Sequence, residues 1–279
     1  EELFHNLAIS KDKTYKENLN QYDVIKLNMQ EFLSMSGTIE EMLGMIRNYL
    51  ISDFQETFPG VRFRDKQNLI QVMKDVFSYT KCPFIILIDE WDCLFREYKQ
   101  NKEAQKKYLD FLRNLLKDRN YVGLTYMTGI LPIAKYSSGS ELNMFWEYTM
   151  ASEAKYNEYF GFTDSEVDRL YEKYTRNTRE IHISREDLKE WYDGYTTKSG
   201  ERMYNPRSVV LALTNNNIGN YWTSSGPYDE IFYYIRQNID DVQNDLALMI
   251  SGEAVTAKIQ EYAAVSMNLT TKNEIFSAM

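Results

Sequence analysis

One segment limits the fold more than any other: Pro83-Phe84-Ile85-Ile86-Leu87-Ile88-Asp89-Glu90. A strand with one wet face alternates apolar and polar residues, but here the apolar run from Phe84 to Ile88 is unbroken and stops at two carboxylates. That pattern predicts a strand covered on both faces, as in the centre of a parallel α/β sheet. From Lys102 to Lys117, Tyr108, Leu109, Leu112, Leu115 and Leu116 recur at helical spacing, and residues 121–128 (YVGLTYMT) read as a second strand. Strand, helix and strand in succession make a crossover unit and so a parallel pairing. Phe145 to Met150 reads as a third strand of the same layer. Upstream, residues 22–29 predict a strand around Val24, Ile25 and Leu27. Helices follow over Ile39, Met42, Leu43, Ile46 and Leu50, then over Leu69, Val72, Met73, Val76 and Phe77. Thr38 and Glu41 stand at the spacing of a capping box.

The texture changes past Ser152. Segments 163–176, 184–193, 208–213, 228–238 and 253–264 predict helices, and Asp193-Gly194 and Lys198-Ser199-Gly200 mark turns around a small hairpin. The expected organisation is therefore an α/β part over 1–152 and a mostly helical part over 153–279. Composition excludes several classes. The longest apolar run is far short of the roughly 20 residues that a membrane span needs. A net charge of -9 is a poor match for nucleic acid. Two cysteines alone provide neither a disulfide framework nor a four-ligand zinc site, and two histidines argue against a histidine-rich metal site. No signal peptide opens the sequence, so the expectation is a cytoplasmic protein.

The chemistry points to the end of the apolar run. Ligands bind at the carboxyl ends of strands in parallel sheets. A carboxylate there holds a hydrated Mg²⁺, and a second beside it polarises an attacking water. The run ending in Asp89-Glu90 resembles the Walker B motif of AAA+ and related ATPases. That resemblance implies Mg²⁺ support by Asp89 and water activation by Glu90. The next strand ends near Thr128, where such ATPases carry a polar residue that senses the γ-phosphate; Thr125 is the substitute, and helix capping is the plain alternative for Thr128. Asp92 reads as a helix-start residue within reach of the metal.

Several pieces in order resemble the bacterial AAA-ATPase-like family, whose members often carry a PD-(D/E)XK-type nuclease domain at the C-terminus. They are LIDEWD (87–92), TGILPI (128–133), SELN (140–143), YFGFTDSEV (159–167), WYDGY (191–195) and YNPRSVV (204–210). The resemblance implies a parallel-sheet phosphate-loop NTPase core, ATP and Mg²⁺ as cofactors, and a helical lid over 160–235. It gives Arg207 a lid-sensor role, for which helix capping around Asn205-Pro206 is an equal alternative. Arg113 and Arg119 read as surface arginines rather than residues reaching a neighbouring ATP site. Trp91, Trp146, Trp191 and Trp222 read as packing anchors. Glu153-Ala154-Lys155 matches half of a nuclease site, but no Asp stands on a preceding hairpin strand.

The phosphate-loop pattern Gly-x-x-x-x-Gly-Lys-Ser/Thr occurs nowhere in the 279 residues. The nearest stretch, Gly194 to Ser199, has Thr197 where the second glycine belongs and reads as a surface turn. By the resemblance, the loop and its strand precede a segment like Leu3 to Ile9, and that strand is central, between those at 121–128 and 145–150. The expectation is therefore an ATPase module cut at its phosphate loop, which binds ATP poorly by itself. The alternative is an inert scaffold that keeps the fold.

Overall fold

A computed structural model of the protein describes residues 2–130, 133, 142–148, 155–221, 235–236, 239–256 and 272–278. The chain forms two compact units, Glu1–Phe145 and Trp146–Met279.

The first unit is built on three parallel strands in the order β1-β2-β3: β1 Val24–Asn28, β2 Phe84–Asp89 and β3 Val122–Met127. The helices are α1 Tyr15–Asn18, α2 Met29–Ser34, α3 Ile39–Thr57, α4 Leu69–Thr80, α5 Cys93–Glu97 and α6 Lys102–Leu116. The crossover from β2 through α5 and α6 to β3 is parallel, as the succession of apolar run, helix and strand requires. Helix starts are set locally: Asn28, Thr38, Asn68 and Asn101 each accept a backbone N–H of the first turn. Thr38 takes the Glu41 N–H, but the Glu41 carboxylate reaches back to Gly37 N–H at 2.8 Å, so the box is displaced by one residue.

One face of the sheet carries Ile25, Leu27, Phe84, Ile86 and Ile88, all buried beneath the helices. Phe54 of α3 meets Phe84 with ring centroids 5.3 Å apart. The opposite face departs from the expected two-sided burial. In register, Val24, Ile85 and Leu124 form one row there, and Lys26, Leu87 and Tyr126 the next. Ile85 and Leu87 are half-buried, while Val24, Leu124 and Tyr126 are 59%, 56% and 62% exposed. Among the described residues, only β2 pairs with β3, so one edge of β3 is free. The strand expected over Phe145 to Met150 is not formed by residues 145–148, and 149–150 lie outside the described residues. Aromatic strand preference depends on a neighbouring ladder, and among the described residues no strand pairs at Trp146, which is 74% exposed.

The second unit holds a hairpin among its helices, at the turn signals read from the sequence. A small antiparallel sheet of order β4-β6-β5 combines β4 Phe162–Thr163, β5 Asp193–Thr196 and β6 Arg202–Tyr204. Around it lie α7 Asp164–Asn177, α8 Arg185–Tyr192 and α9 Pro206–Asn215. Thr163 with Glu166 and Ser184 with Asp187 are complete capping boxes. Val167, Tyr174, Ile183, Leu188, Tyr204 and Val209 are core residues of this unit. The stretch from Gly194 to Ser199 is part of the β5–β6 hairpin, closed by Thr197 N–H to Glu201 O at 2.8 Å. Two further helices are α10 Ile239–Ile250 and α11 Lys272–Ala278. Of the helix expected over 228–238, residues 235–236 are helical and the rest lie outside the described residues. Residues 253–256 are not helical: Gly252, at φ 87°, ends α10, and Glu253 N–H closes back on Leu248 O. Residues 257–264 lie outside the described residues.

A buried carboxylate fastens the loop ahead of α4. Asp75, its side chain 3% exposed, accepts Arg64 N–H at 2.8 Å, Arg64 Nε at 2.7 Å and Gln71 Nε2 at 2.7 Å. Burial pushes its pKa up, but the Arg64 backbone and guanidinium bonds and the Gln71 amide outweigh it and hold the carboxyl below its usual range. A lowered folded-state value stabilises above the unfolded value, near pH 4, and that stability is lost as pH falls through the folded value. Asp75→Asn should therefore cost about 1–2 kcal/mol at pH 7 and less below about pH 4. Urea unfolding at pH 7 and 3 checks this; a cost independent of pH would contradict the ionised pairing.

Candidate functional site

The carboxyl ends of β2 and β3 finish level. Ile88 pairs with Met127, and Thr128 N–H then donates to Ile88 O at 2.9 Å. This places Thr128 Oγ1 beside Asp89, where it donates to Oδ1 at 2.5 Å. Glu90 N–H donates to the same oxygen at 3.0 Å. Among the described residues, no hydrogen bond reaches Asp89 Oδ2, and the side chain is exposed. On the other flank, Asn28 is the register partner of Asp89, but its Oδ1 accepts Glu31 N–H and caps α2.

The chain turns sharply after Asp89. Glu90 has φ 53°, a left-handed conformation that costs a side-chain-bearing residue about 1 kcal/mol. Three contacts hold that turn. Trp91 N–H donates to Thr128 O at 3.1 Å, Cys93 N–H donates to Glu90 O at 3.0 Å, and buried Tyr108 donates its hydroxyl to Trp91 O at 2.6 Å. Trp91 is 2% exposed and packs on Phe95 at 5.4 Å. Gly129 fits only because it lacks a side chain: a Cβ there would lie 2.5 Å from Trp91 Cδ1 and 2.6 Å from Asp92 Oδ1.

Behind the turn, Asp92 is fully buried. It is the N-cap position of α5, but no side-chain cap bond forms. Instead Oδ2 accepts Ile130 N–H at 3.2 Å and lies 3.5 Å from Arg96 Nε. The other arm of the same guanidinium, Nη2, makes a short ion pair with Glu90 Oε2. Burial pushes the Cys93 thiol up to about 12 and raises the Tyr108 hydroxyl well above its usual value, so both stay neutral. The charges at the tip are therefore Asp89, Glu90 and Asp92 against Arg96, a net negative group suited to a cation. Among the described residues, no cluster of three or more His, Cys, Asp or Glu could hold a metal, so a cation here needs further ligands from water or substrate.

The structure thus brings Asp89, Glu90 and Thr128 together. Thr125 is three residues back, paired with Ile86, and its buried Oγ1 has no hydrogen bond among the described residues. Arg113 pairs with Asp110 at 2.9 Å, and Arg119 Nε donates to Asn114 O at 2.7 Å; both precede β3, at the opposite end of the sheet. Arg207 belongs to the second unit and is exposed in the first turn of α9, which Asn205 caps through Ser208 N–H at 2.9 Å. Of the tryptophans, Trp91 is an anchor, Trp146 and Trp191 are exposed, and Trp222 lies outside the described residues. Glu153 and Ala154 lie there too, while Lys155 Nζ sits 4.6 Å above the Tyr156 ring. Sequence reading missed Arg96 and Gly129. The signal for Arg96 was its i,i+4 spacing from Asp92.

Comparison with known proteins bears on the first unit. A family model described as "Predicted AAA-ATPase" matches residues 1–138, making this stretch similar to an ATPase-like module. A protein of Azotobacter chroococcum mcd 1, described as "Uncharacterized protein in vnfD 5'region", is 26% identical over 146 residues. The match covers 51% of this chain and spans only 27% of that protein. No solved structure matches the chain. No helix among the described residues is long and apolar enough to cross a membrane.

The packing at the tip predicts that Gly129→Ala destabilises the first unit by about 1–3 kcal/mol, because the added methyl would press on the buried Trp91 and Asp92 side chains. Thermal melting checks this; an unchanged midpoint would mean that the β3 tip does not pack on Trp91.

Proposed function

We propose that the first unit is the carboxylate half of an ATP-hydrolysing site, with Asp89, Glu90 and Thr128 as its working groups. The observation that carries this is the level ending of two parallel strands in a hydrogen-bonded Thr128–Asp89 pair beside a second carboxylate. A hydrated Mg²⁺ fits the donor set: one exposed aspartate with Oδ2 outside its hydrogen bonds, and no all-protein cage. Mg²⁺ characteristically takes one or two carboxylates and completes its shell with water and phosphate oxygens. When bound, it would neutralise charge on the transferred phosphoryl group.

The roles then follow from the residues themselves. Thr128 and Glu90 N–H both donate to Asp89 Oδ1, which fixes the carboxylate plane and leaves Oδ2 for the cation. Thr128, at the tip of the neighbouring strand, is placed to exchange its donor between Asp89 and a γ-phosphate oxygen. Glu90 takes the proton of the attacking water. The phosphate-binding backbone and lysine are the parts that this reading requires and that the 279 residues do not contain as a motif. Donors of that kind would meet the tip along the edge of β3 that no described strand pairs. A nuclease domain in the same polypeptide is the partner implied by the resemblance, and the acidic balance here leaves nucleic-acid contact to such a domain.

The missing phosphate-loop pattern also supports a second reading, an inert scaffold that keeps the fold. Two measurements separate them. In the native full-length polypeptide, Glu90→Gln should retain ATP binding and lose at least about 100-fold in turnover; turnover equal to wild type would sink the assignment of Glu90 as base. For residues 1–279 alone, calorimetry should find ATP–Mg²⁺ binding weaker than about 100 μM, since backbone donors and a lysine supply most phosphate contacts. Micromolar affinity would show a phosphate site within this sequence.

A further inference from the structure

Glu90 is not directed at the Asp89–Thr128 pair in this structure. Its Oε2 pairs with Arg96 Nη2, while Asp89 Oδ1 is engaged by Thr128. Glu90 and Arg96 line a recess of about 640 Å³ together with Asn28, Gln30, Glu31 and Ser34, on the side of β1 and α2. Neither Asp89 nor Thr128 lines that recess. Arg96 Nε lies 3.5 Å from Asp92 Oδ2, an ion-pair approach without a hydrogen bond, and the Asp92 side chain is 0% exposed against 38% for Glu90. One guanidinium therefore bridges two unequal carboxylates, a buried one that cannot leave and a half-exposed one that can.

We propose that Arg96 is a positioning residue that parks Glu90 away from the Asp89–Thr128 pair, and that hydrolysis requires the Glu90–Arg96 pair to open while Arg96 stays on Asp92. This rests on the assignment of Glu90 as the base. The parked state is unproductive because the ion pair occupies the oxygen that must accept the water proton. Opening is inexpensive because Asp92 keeps Arg96 paired and buried charge is not stranded. The choice of arginine follows: its delocalised charge can lie beside Asp92 at Nε while Nη2 binds Glu90, whereas a lysine has one nitrogen for both. The left-handed backbone of Glu90 gives the side chain its pivot at the strand end.

The test is ATP hydrolysis by the native full-length polypeptide, with kcat and KM measured separately for wild type, Arg96→Gln, Arg96→Lys and Glu90→Gln. Removing a half-exposed ion pair should raise kcat about fivefold in Arg96→Gln with KM for ATP–Mg²⁺ unchanged, and by less in Arg96→Lys. A purely structural role predicts the opposite, a lower kcat with a lower melting temperature. Arg96→Lys keeps a cation beside Asp92 and decides the question if Arg96→Gln does not fold. An unchanged or reduced kcat in the folded variants, with Glu90→Gln inactive, overturns the parking role alone. Wild-type turnover in Glu90→Gln overturns the assignment of the base, and the parking role with it. A structure of the native polypeptide with a non-hydrolysable ATP analogue and Mg²⁺ gives an independent answer: Glu90 should have left Arg96, and an intact pair beside bound analogue overturns the proposal.

Discussion

The backbone bond from Thr128 N–H to Ile88 O, at 2.9 Å, carries the β2–β3 ladder one step past the last residue of β3. Everything at the tip is referred to it. It sets Thr128 Oγ1 against Asp89, and the return bond from Trp91 N–H to Thr128 O folds the turn back over the same residue. Strand side chains alternate, so a slip of one residue would replace Thr128 by Met127 at the carboxylate. The irregularity is placed at the far end, where Phe84 pairs with Val122 but Ile85 pairs with Leu124. From Ile85 onward the register is regular up to the tip.

A second constraint lies beneath the first. Asp92 is a carboxyl group with no exposed surface, and such a polar group is tolerated only with partners. Arg96 and the Ile130 N–H are two of them. They tie α5 to the segment after β3, and Tyr108 ties α6 to the same turn through Trp91 O. The left-handed Glu90 is held inside this frame by bonds on both sides, so the conformational cost is met by the surrounding contacts rather than by the residue itself.

Much of this was legible in the residues. The unbroken run Phe84–Ile88, followed by a periodic helix and a second strand, has one sensible topology, and Asp89, Glu90 and Thr128 fall together once that topology is accepted. Caps such as Thr163 and Ser184 were legible because the side chain and its target lie three residues apart. What failed to show were relations between distant segments. Arg96 bridges two carboxylates because of a turn whose left-handed residue is a glutamate, a type that gives no warning of positive φ. Gly129 is required by Trp91, 38 positions earlier, and only the packed tip reveals it. The apolar run predicted burial on both faces, yet Leu124 and Tyr126 show one face half open. A run reports what a strand can bury, not what the rest of the chain supplies to bury it.

That half-open face and the charge at the tip point the same way. Asp89, Glu90 and Asp92 against one arginine make a group that attracts a divalent cation and repels a bare polyphosphate. Arg96, the cation at the tip, is held between Glu90 and Asp92. A nucleotide could approach such a tip only as its Mg²⁺ complex, with donors for the phosphate oxygens arriving from elsewhere. Among the described residues, the unpaired edge of β3 is next to Thr128, and the half-exposed rows through Ile85 and Leu87 lie on the sheet face opposite the buried one. An added strand on that edge would end level with Asp89 and Thr128 and bring its following backbone N–H groups to the same side of the sheet. On the function proposed above, the tip would be one half of a nucleotide site: it would position a cation and a base and leave the phosphate contacts to the edge of β3 that no described strand pairs.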